Sequence, residues 1–289
     1  MSTVSVRNVW KAYGDQVVLE RINLEVAEHS FVSMVGPSGC GKTTFLRMLL
    51  SQETPSKGEI LLDGAPLAPE PTPERGVVFQ RYSVFPHLTV LGNVALGLEV
   101  ERAPLLGRLF GQARREVLER SREMLDHVGL HGAADKYPAQ LSGGMQQRLA
   151  IAQTLIKRPT VLLLDEPFGA LDPGIRTDMH HLMRRLFDET GMTVFMVTHD
   201  LREAFQLGTR VVAFDRYRTR EEEREAYGAT IMFDIPLDRE RQRAQAEREL
   251  AARLPAITAR RDDSASDPEA DGGLPLGTTR RSPALAGGH

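Results

Sequence analysis

Apolar residues follow two rhythms along the first 215 positions. Residues 31–35, 76–79, 161–164, 193–197 and 211–214 are short, nearly unbroken apolar runs bounded by turn residues. Runs of this length and β-rich composition suit strands buried on both faces, as in a parallel sheet covered by helices. Residues 4–9, 16–26 and 58–62 alternate apolar and polar positions instead, and predict antiparallel strands with one wet face. Between Phe79 and Val161 the rhythm becomes helical. Val117, Leu118, Met124, Leu125 and Val128 form a 3.6-residue stripe across 112–128, with charges opposite. A second helix opens at Ser142 and runs to about Lys157, where Pro159 closes it. The pattern predicts an α/β core, an antiparallel β subdomain, and a helical subdomain inserted at about 84–158.

The texture changes after 215. Residues 216–254 form a short charged extension with balanced signs, a β-like stretch at 227–235 and a charge-laced helical stretch at 239–253. From 255 the chain is Pro, Gly, Ala, Ser, Asp and Arg without period, which predicts a disordered tail. At about 150 residues per domain, 289 residues suggest two domains, yet the patterning predicts one core at 1–215. Lys and Arg number 36 against 39 Asp and Glu, a net charge of −3, which argues against a nucleic-acid-coating surface. A single cysteine, Cys40, excludes an internal disulfide framework and suits a reducing compartment. No apolar run approaches the roughly 18 residues of a membrane span, and the opening MSTVSVRNVW lacks the features of a secretory signal.

Three short motifs add chemistry. Gly36-Pro37-Ser38-Gly39-Cys40-Gly41-Lys42-Thr43 matches G-x-x-x-x-G-K-[ST], after an apolar strand and before a helix over 43–50. Its physics is anion capture: glycines let backbone N–H groups curl around phosphates, and the helix N-terminus adds a favourable field. Lys42 would reach the β/γ-phosphates of a bound nucleotide, and the Thr43 hydroxyl would ligate Mg²⁺. The run 161–164 ends in Asp165-Glu166, carboxylates at a strand's C-terminal end, where α/β proteins bind ligands. Asp165 is a candidate Mg²⁺ partner and Glu166 a candidate general base; a solvated turn acid is the competing reading of the pair alone. Leu141-Ser142-Gly143-Gly144-Met145 offers a second glycine-led helix N-terminus with Ser142 as cap, which a purely structural capped helix would also explain. His180 and His181 are adjacent on a helix and point about 100° apart, which does not suit a zinc pair.

Taken in order, the phosphate loop, Gln80, Leu141-Ser142-Gly143-Gly144, Asp165-Glu166, Leu171-Asp172 and His199 resemble the ATP-binding subunits of ABC transporters, over about residues 3–215. The resemblance implies a P-loop NTPase fold: a RecA-like mixed sheet with flanking helices. It assigns adenine stacking to Tyr13 and phosphate contacts to Gly36 through Thr43 and to Thr44. Gln80 takes the role of sensing Mg²⁺ and the attacking water, Glu166 that of general base, and His199 that of holding the γ-phosphate. Ser142, Gly143 and Gly144 would bind the ATP held by an opposite subunit, with Asp172 communicating across the interface. The implied partners are a second copy in a head-to-tail dimer enclosing two ATP, transmembrane permease subunits, and indirectly a solute-binding protein. The implied location is the cytoplasmic face of the bacterial inner membrane, and no nucleic-acid partner is expected.

Met145, where glutamine is common in the family, resembles the nitrate/sulfonate/taurine-type importers, and the 227–236 stretch resembles members linked with urea or guanidine nitrogen. Residues 80–94 resemble the stretch that docks a permease helix. There, Phe85, Leu88, Val90 and Val94 supply either an apolar docking groove or the subdomain's own core. Cys40 reads as a small residue filling a tight turn, with a redox role as the alternative. A non-transport ABC ATPase acting on nucleic acid or ribosomes is the competing class; against it stand the single motif set, the lack of long heptads and the absent basic stripe.

Overall fold

The computed structural model describes residues 2–80, 83–103, 109–217 and 227–237. The expected extension helix at 239–253 and the tail from 255 lie outside these residues. Two sheets organise the fold. The first is antiparallel, β2-β1-β4-β5, built from β1 (Val4–Tyr13), β2 (Gln16–Val26), β4 (Lys57–Leu62) and the short β5 (Ala65–Pro66). The second has six strands in the order β10-β9-β3-β8-β7-β6: β10 (Thr230–Pro236), β9 (Arg210–Asp215), β3 (Phe31–Val35), β8 (Thr193–Val197), β7 (Val161–Asp165) and β6 (Arg75–Val78). Its β9, β3, β8, β7 and β6 are parallel, and β10 closes one edge antiparallel to β9.

The unbroken apolar runs are explained by burial on both faces. Along β7, Val161 and Leu163 point into one core while Leu162 and Leu164 point into another; β8 divides Phe195 and Val197 from Val194 and Met196 in the same way. Side chains alternate across a strand, so a strand covered on both sides needs apolar residues at every position. One core lies between the two sheets and holds α1 (Lys42–Leu49). The other joins the opposite face to α5 (Pro173–Thr190) and to the helical insert of α2 (Val90–Arg102), α3 (Gly111–His127) and α4 (Gly143–Leu155). A short α6 (Leu201–Leu207) follows β8 and packs with β3 and β9.

Side chains start three of these helices. Thr89 accepts from Gly92 N at 3.1 Å ahead of α2, Ser142 from Met145 N at 3.4 Å ahead of α4, and Asp200 from Arg202 N at 2.9 Å ahead of α6. Each satisfies a helix N–H that otherwise has no partner. The β-like stretch expected at 227–235 is real, and it does more than decorate an extension. Arg210 donates from Nε to Asp234 Oδ1 at 2.6 Å, tying β10 into the core sheet. Among the described residues, no helix is long and apolar enough to cross a membrane.

Candidate functional site

Because the five strands are parallel, their carboxyl ends share one edge. The segment leaving β3 is the phosphate loop, that leaving β6 carries Gln80, and those leaving β7 and β8 carry Glu166 and His199. Topology thus gathers residues spread over more than 120 positions.

The phosphate loop is held by its neighbours. Gly36 has φ 151°, and a Cβ there would stand 2.2 Å from the Phe214 carbonyl oxygen of β9, so no side chain fits. Gly41 precedes α1 with φ 90° in the left-handed region. Lys42 is buried and arches over the loop, its Nζ donating to the Gly36 and Pro37 carbonyls at 2.8 Å each, with Cys40 Sγ at 3.6 Å. Cys40 is itself buried, and burial pushes its thiol pKa up, so the thiolate is disfavoured. That favours the turn-filling reading of this residue.

Two of the three expected metal-site residues, Thr43 and Asp165, meet. Thr43 Oγ1 donates to Asp165 Oδ1 at 3.2 Å, joining the start of α1 to the end of β7. Burial raises the Asp165 pKa, partly opposed by the Thr43 hydrogen bond. Glu166 leaves the strand with φ 47°, a left-handed backbone uncommon for glutamate, and its N–H donates to Val197 O at 3.0 Å. Its carboxylate lies 3.5 Å from His199 Nδ1; the histidine side chain is 63% exposed and the glutamate 32%. A carboxylate and an imidazole are therefore paired at the open edge of the sheet, beside the hydroxyl–carboxylate pair.

Tyr13 ends β1 and is 47% exposed. Its hydroxyl donates to Glu53, Thr44 also reaches it, and Lys11 Nζ stands 4.8 Å from the ring centroid. Desolvation, then the Glu53 contact, raises its pKa. Thr44 thus ties Tyr13 to α1, with Lys11 over the ring. Gln80 is exposed directly after β6.

The signature residues sit elsewhere. Ser142 and Gly143 are exposed, and Gly144 is pressed against α5, where a Cβ would lie 2.4 Å from Ile175 Cγ2. Asp172 is the exposed N-cap residue of α5. Those residues make no hydrogen bond or ion pair to the Thr43–Asp165 pair or the Glu166–His199 pair among the described residues.

The stretch after Gln80 divides between the two readings of its apolar residues. Val90 and Val94 are fully buried, so they belong to the subdomain core and not to a groove. With Leu98 they stand at i, i+4 and i+8, one inward face of α2. Phe85 remains 43% exposed and lines a cleft of about 540 Å³ with Pro71, Val77, Phe79, Gly97 and Gln153. Sequence reasoning missed what shapes this cleft: Asn93, only 2% exposed. Its side-chain amide donates to the Phe85, Leu88 and Thr89 carbonyls at 2.9–3.1 Å, and its oxygen accepts from Phe85 N at 2.7 Å and Gln153 Nε2 at 3.0 Å. The available signal was an asparagine inside an apolar helical face, a place its local hydrogen bonding disfavours.

The chain resembles known proteins over the same region. A family model for ABC transporters matches residues 19–169. The chain is 47% identical over 214 residues to the spermidine/putrescine import ATP-binding protein PotA 1 of Pseudomonas aeruginosa, covering 72% of this chain and 56% of that protein. It is 42% identical over 218 residues to the sulfate/thiosulfate import ATP-binding protein CysA of Gloeobacter violaceus, covering 75% and 61%. The chain therefore spans less than two thirds of these relatives' length. Their names specify spermidine/putrescine and sulfate/thiosulfate import, which differ from the nitrate, sulfonate and taurine type that Met145 resembles. Among solved structures, the dimeric ATP-binding cassette MJ0796 bound to ADP and Pi aligns with TM-score 0.65 and 32% identity over 82% of this chain and 99% of that one. The structure of cbiO1 from Clostridium perfringens aligns with TM-score 0.70 and 25% identity over 90% and 98%.

Proposed function

The chain belongs to the ABC transporter family, and from that premise we propose that it is the ATP-hydrolysing subunit of a bacterial importer. The observation that carries the reading is the adjacency of two pairs at one sheet edge: Thr43 with Asp165 at 3.2 Å, and Glu166 with His199 at 3.5 Å. A phosphate-binding loop beside a hydroxyl–carboxylate pair and a carboxylate–imidazole pair is what hydrolysis of a nucleoside triphosphate needs.

In this mechanism the loop N–H groups take the phosphates of ATP, and Lys42 exchanges its two loop carbonyls for phosphate oxygens. Thr43 and Asp165 present the oxygen donors a hard divalent cation takes, and Mg²⁺ bound there would offset charge on the β- and γ-phosphates. Glu166 accepts a hydrogen bond, then a proton, from the attacking water, and His199 orients the γ-phosphate and that water. Tyr13 stacks on the base, and Gln80 links the γ-phosphate end of the site to the cleft behind it. Ser142, Gly143 and Gly144 complete the site of a second copy, because the turn is exposed at Ser142 and Gly143 and makes no hydrogen bond to the chain's own phosphate loop among the described residues. Asp172 would meet the opposite subunit. ATP binding closes the pair of subunits, and hydrolysis reopens it.

The cleft beside Phe85 is the surface we assign to the permease, which receives that motion at the cytoplasmic face of the inner membrane. A solute-binding protein takes part only indirectly. The solute belongs to a small polar class, nitrate-, sulfonate- or taurine-like, or a urea- or guanidine-like nitrogen compound. Met145 and the 227–236 stretch support that class.

Sedimentation tests the core of the proposal. Glu166→Gln with ATP should run as a dimer, and wild type with ADP as a monomer. Monomers under both conditions would overturn the shared-site reading.

A further inference from the structure

One buried ionisable pair lies outside the chemistry described above. His180 of α5 is 6% exposed and Glu203 of α6 is 5% exposed. The imidazole uses both nitrogens: Nε2 lies 2.9 Å from Glu203 Oε1 and Nδ1 lies 3.2 Å from Gln206 Oε1. Its ring also meets Phe168 edge-on, with centroids 5.1 Å apart at 71°. Phe168 is two residues past Glu166, and α6 begins two residues past His199. One side chain therefore touches both segments that present the proposed catalytic residues.

The contact belongs to a stripe. Arg176, His180 and Arg184 are spaced by four on α5 and so share one helix face. Arg176 Nη1 reaches Asp200 Oδ2 at 3.7 Å, His180 reaches the middle of α6, and Arg184 Nη1 donates to Leu207 O at 3.2 Å. The three contacts follow α6 from its cap to its end. Both flanking contacts are at least partly solvated, whereas the central one is dry. Glu166, Phe168, His199 and Glu203 also line one small common cavity.

We infer that His180 and Glu203 are positioning residues: their buried clamp fixes α6, and thereby His199, against the Glu166 turn. Neither touches nucleotide. They act through the two segments they join, so removing the clamp loosens a distance that hydrolysis depends on. This rests on the hydrolysis proposed above, while the geometric part stands on the fold alone.

The test separates positioning from stability. His180→Phe keeps the contact with Phe168 but strands a buried carboxylate; His180→Phe/Glu203→Leu removes both polar partners and should keep near-wild-type stability. In the double variant, kcat for ATP should fall on the order of tenfold, with KM for ATP within about twofold of wild type. His180→Arg, whose guanidinium can still donate to Glu203, should recover much of the rate. In nucleotide-free protein, amide exchange over residues 198–204 should accelerate in the double variant while β3 stays protected. Unchanged exchange there, or a folded double variant with wild-type kcat, overturns the clamp. Wild type inactive toward ATP would instead strike the hydrolysis proposal, with the exchange result still judging the clamp.

Discussion

The phosphate loop and the signature turn are built to the same plan and finished differently. Each is a glycine-rich approach to a helix N-terminus. At the first, Gly36 is closed in by the Phe214 carbonyl and Lys42 is held by two loop carbonyls. At the second, Ser142 caps its helix through a longer 3.4 Å contact, and a Cβ on Gly143 would meet nothing within 4 Å. The first junction carries its own cation and its own neighbours, so it is complete within one chain. The second leaves Ser142 and Gly143 exposed, and in the proposed dimer it acquires a ligand only when another molecule brings one.

The strongest way to break this contrast is complementation. Lys42→Ala spoils the loop and Ser142→Arg the turn; each alone should lower ATPase activity by two to three orders of magnitude, roughly the loss of a main charge-stabilising group. Mixed, the two variants should regain activity, because one composite site then has an intact loop and an intact turn. No recovery would mean that each chain completes its own site. Next in size is a glycine pair. Gly36→Ala should cost about 3 kcal/mol through its clash and strain, whereas Gly143→Ala should stay within about 0.5 kcal/mol, both read by urea unfolding. Equal costs would erase the distinction between enclosed and open turns.

The smallest effect concerns the charge placed at the enclosed junction. Burial raises the Asp165 pKa, so its ionised form costs stability above that folded pKa, and the cost is relieved as pH falls through it. Asp165→Asn should therefore be more stable than wild type at neutral pH, by about 1 kcal/mol, with lowered ATPase activity. The stability gap should narrow toward acidic pH. A gap that widened on acidification would reverse the assignment of strain to this carboxylate.

Much of the site was legible because its residues sit at strand ends, where an unbroken apolar run stops at a polar residue. The 161–164 run stopping at Asp165 shows this plainly. Pairings across helices were not legible in the same way. His180 and Glu203 are 23 positions apart on different helices, and a histidine beside another histidine suggested at most a poor metal pair. Val90 and Val94 failed to declare themselves because an apolar helix face looks alike whether it fills a core or lines a groove. The charge-rich stretch after 215 showed its β-like segment but not its pairing: Asp234 is matched to Arg210, 24 positions away.

The left-handed backbone at Glu166 has an evolutionary consequence. Asparagine, aspartate and glycine occupy that conformation more readily than glutamate. Selection for stability alone would push the position toward those residues. On the role proposed for Glu166, activity holds a glutamate there against that drift, so lineages released from turning over nucleotide should lose it early, while Gly36, which the fold itself requires, should outlast it.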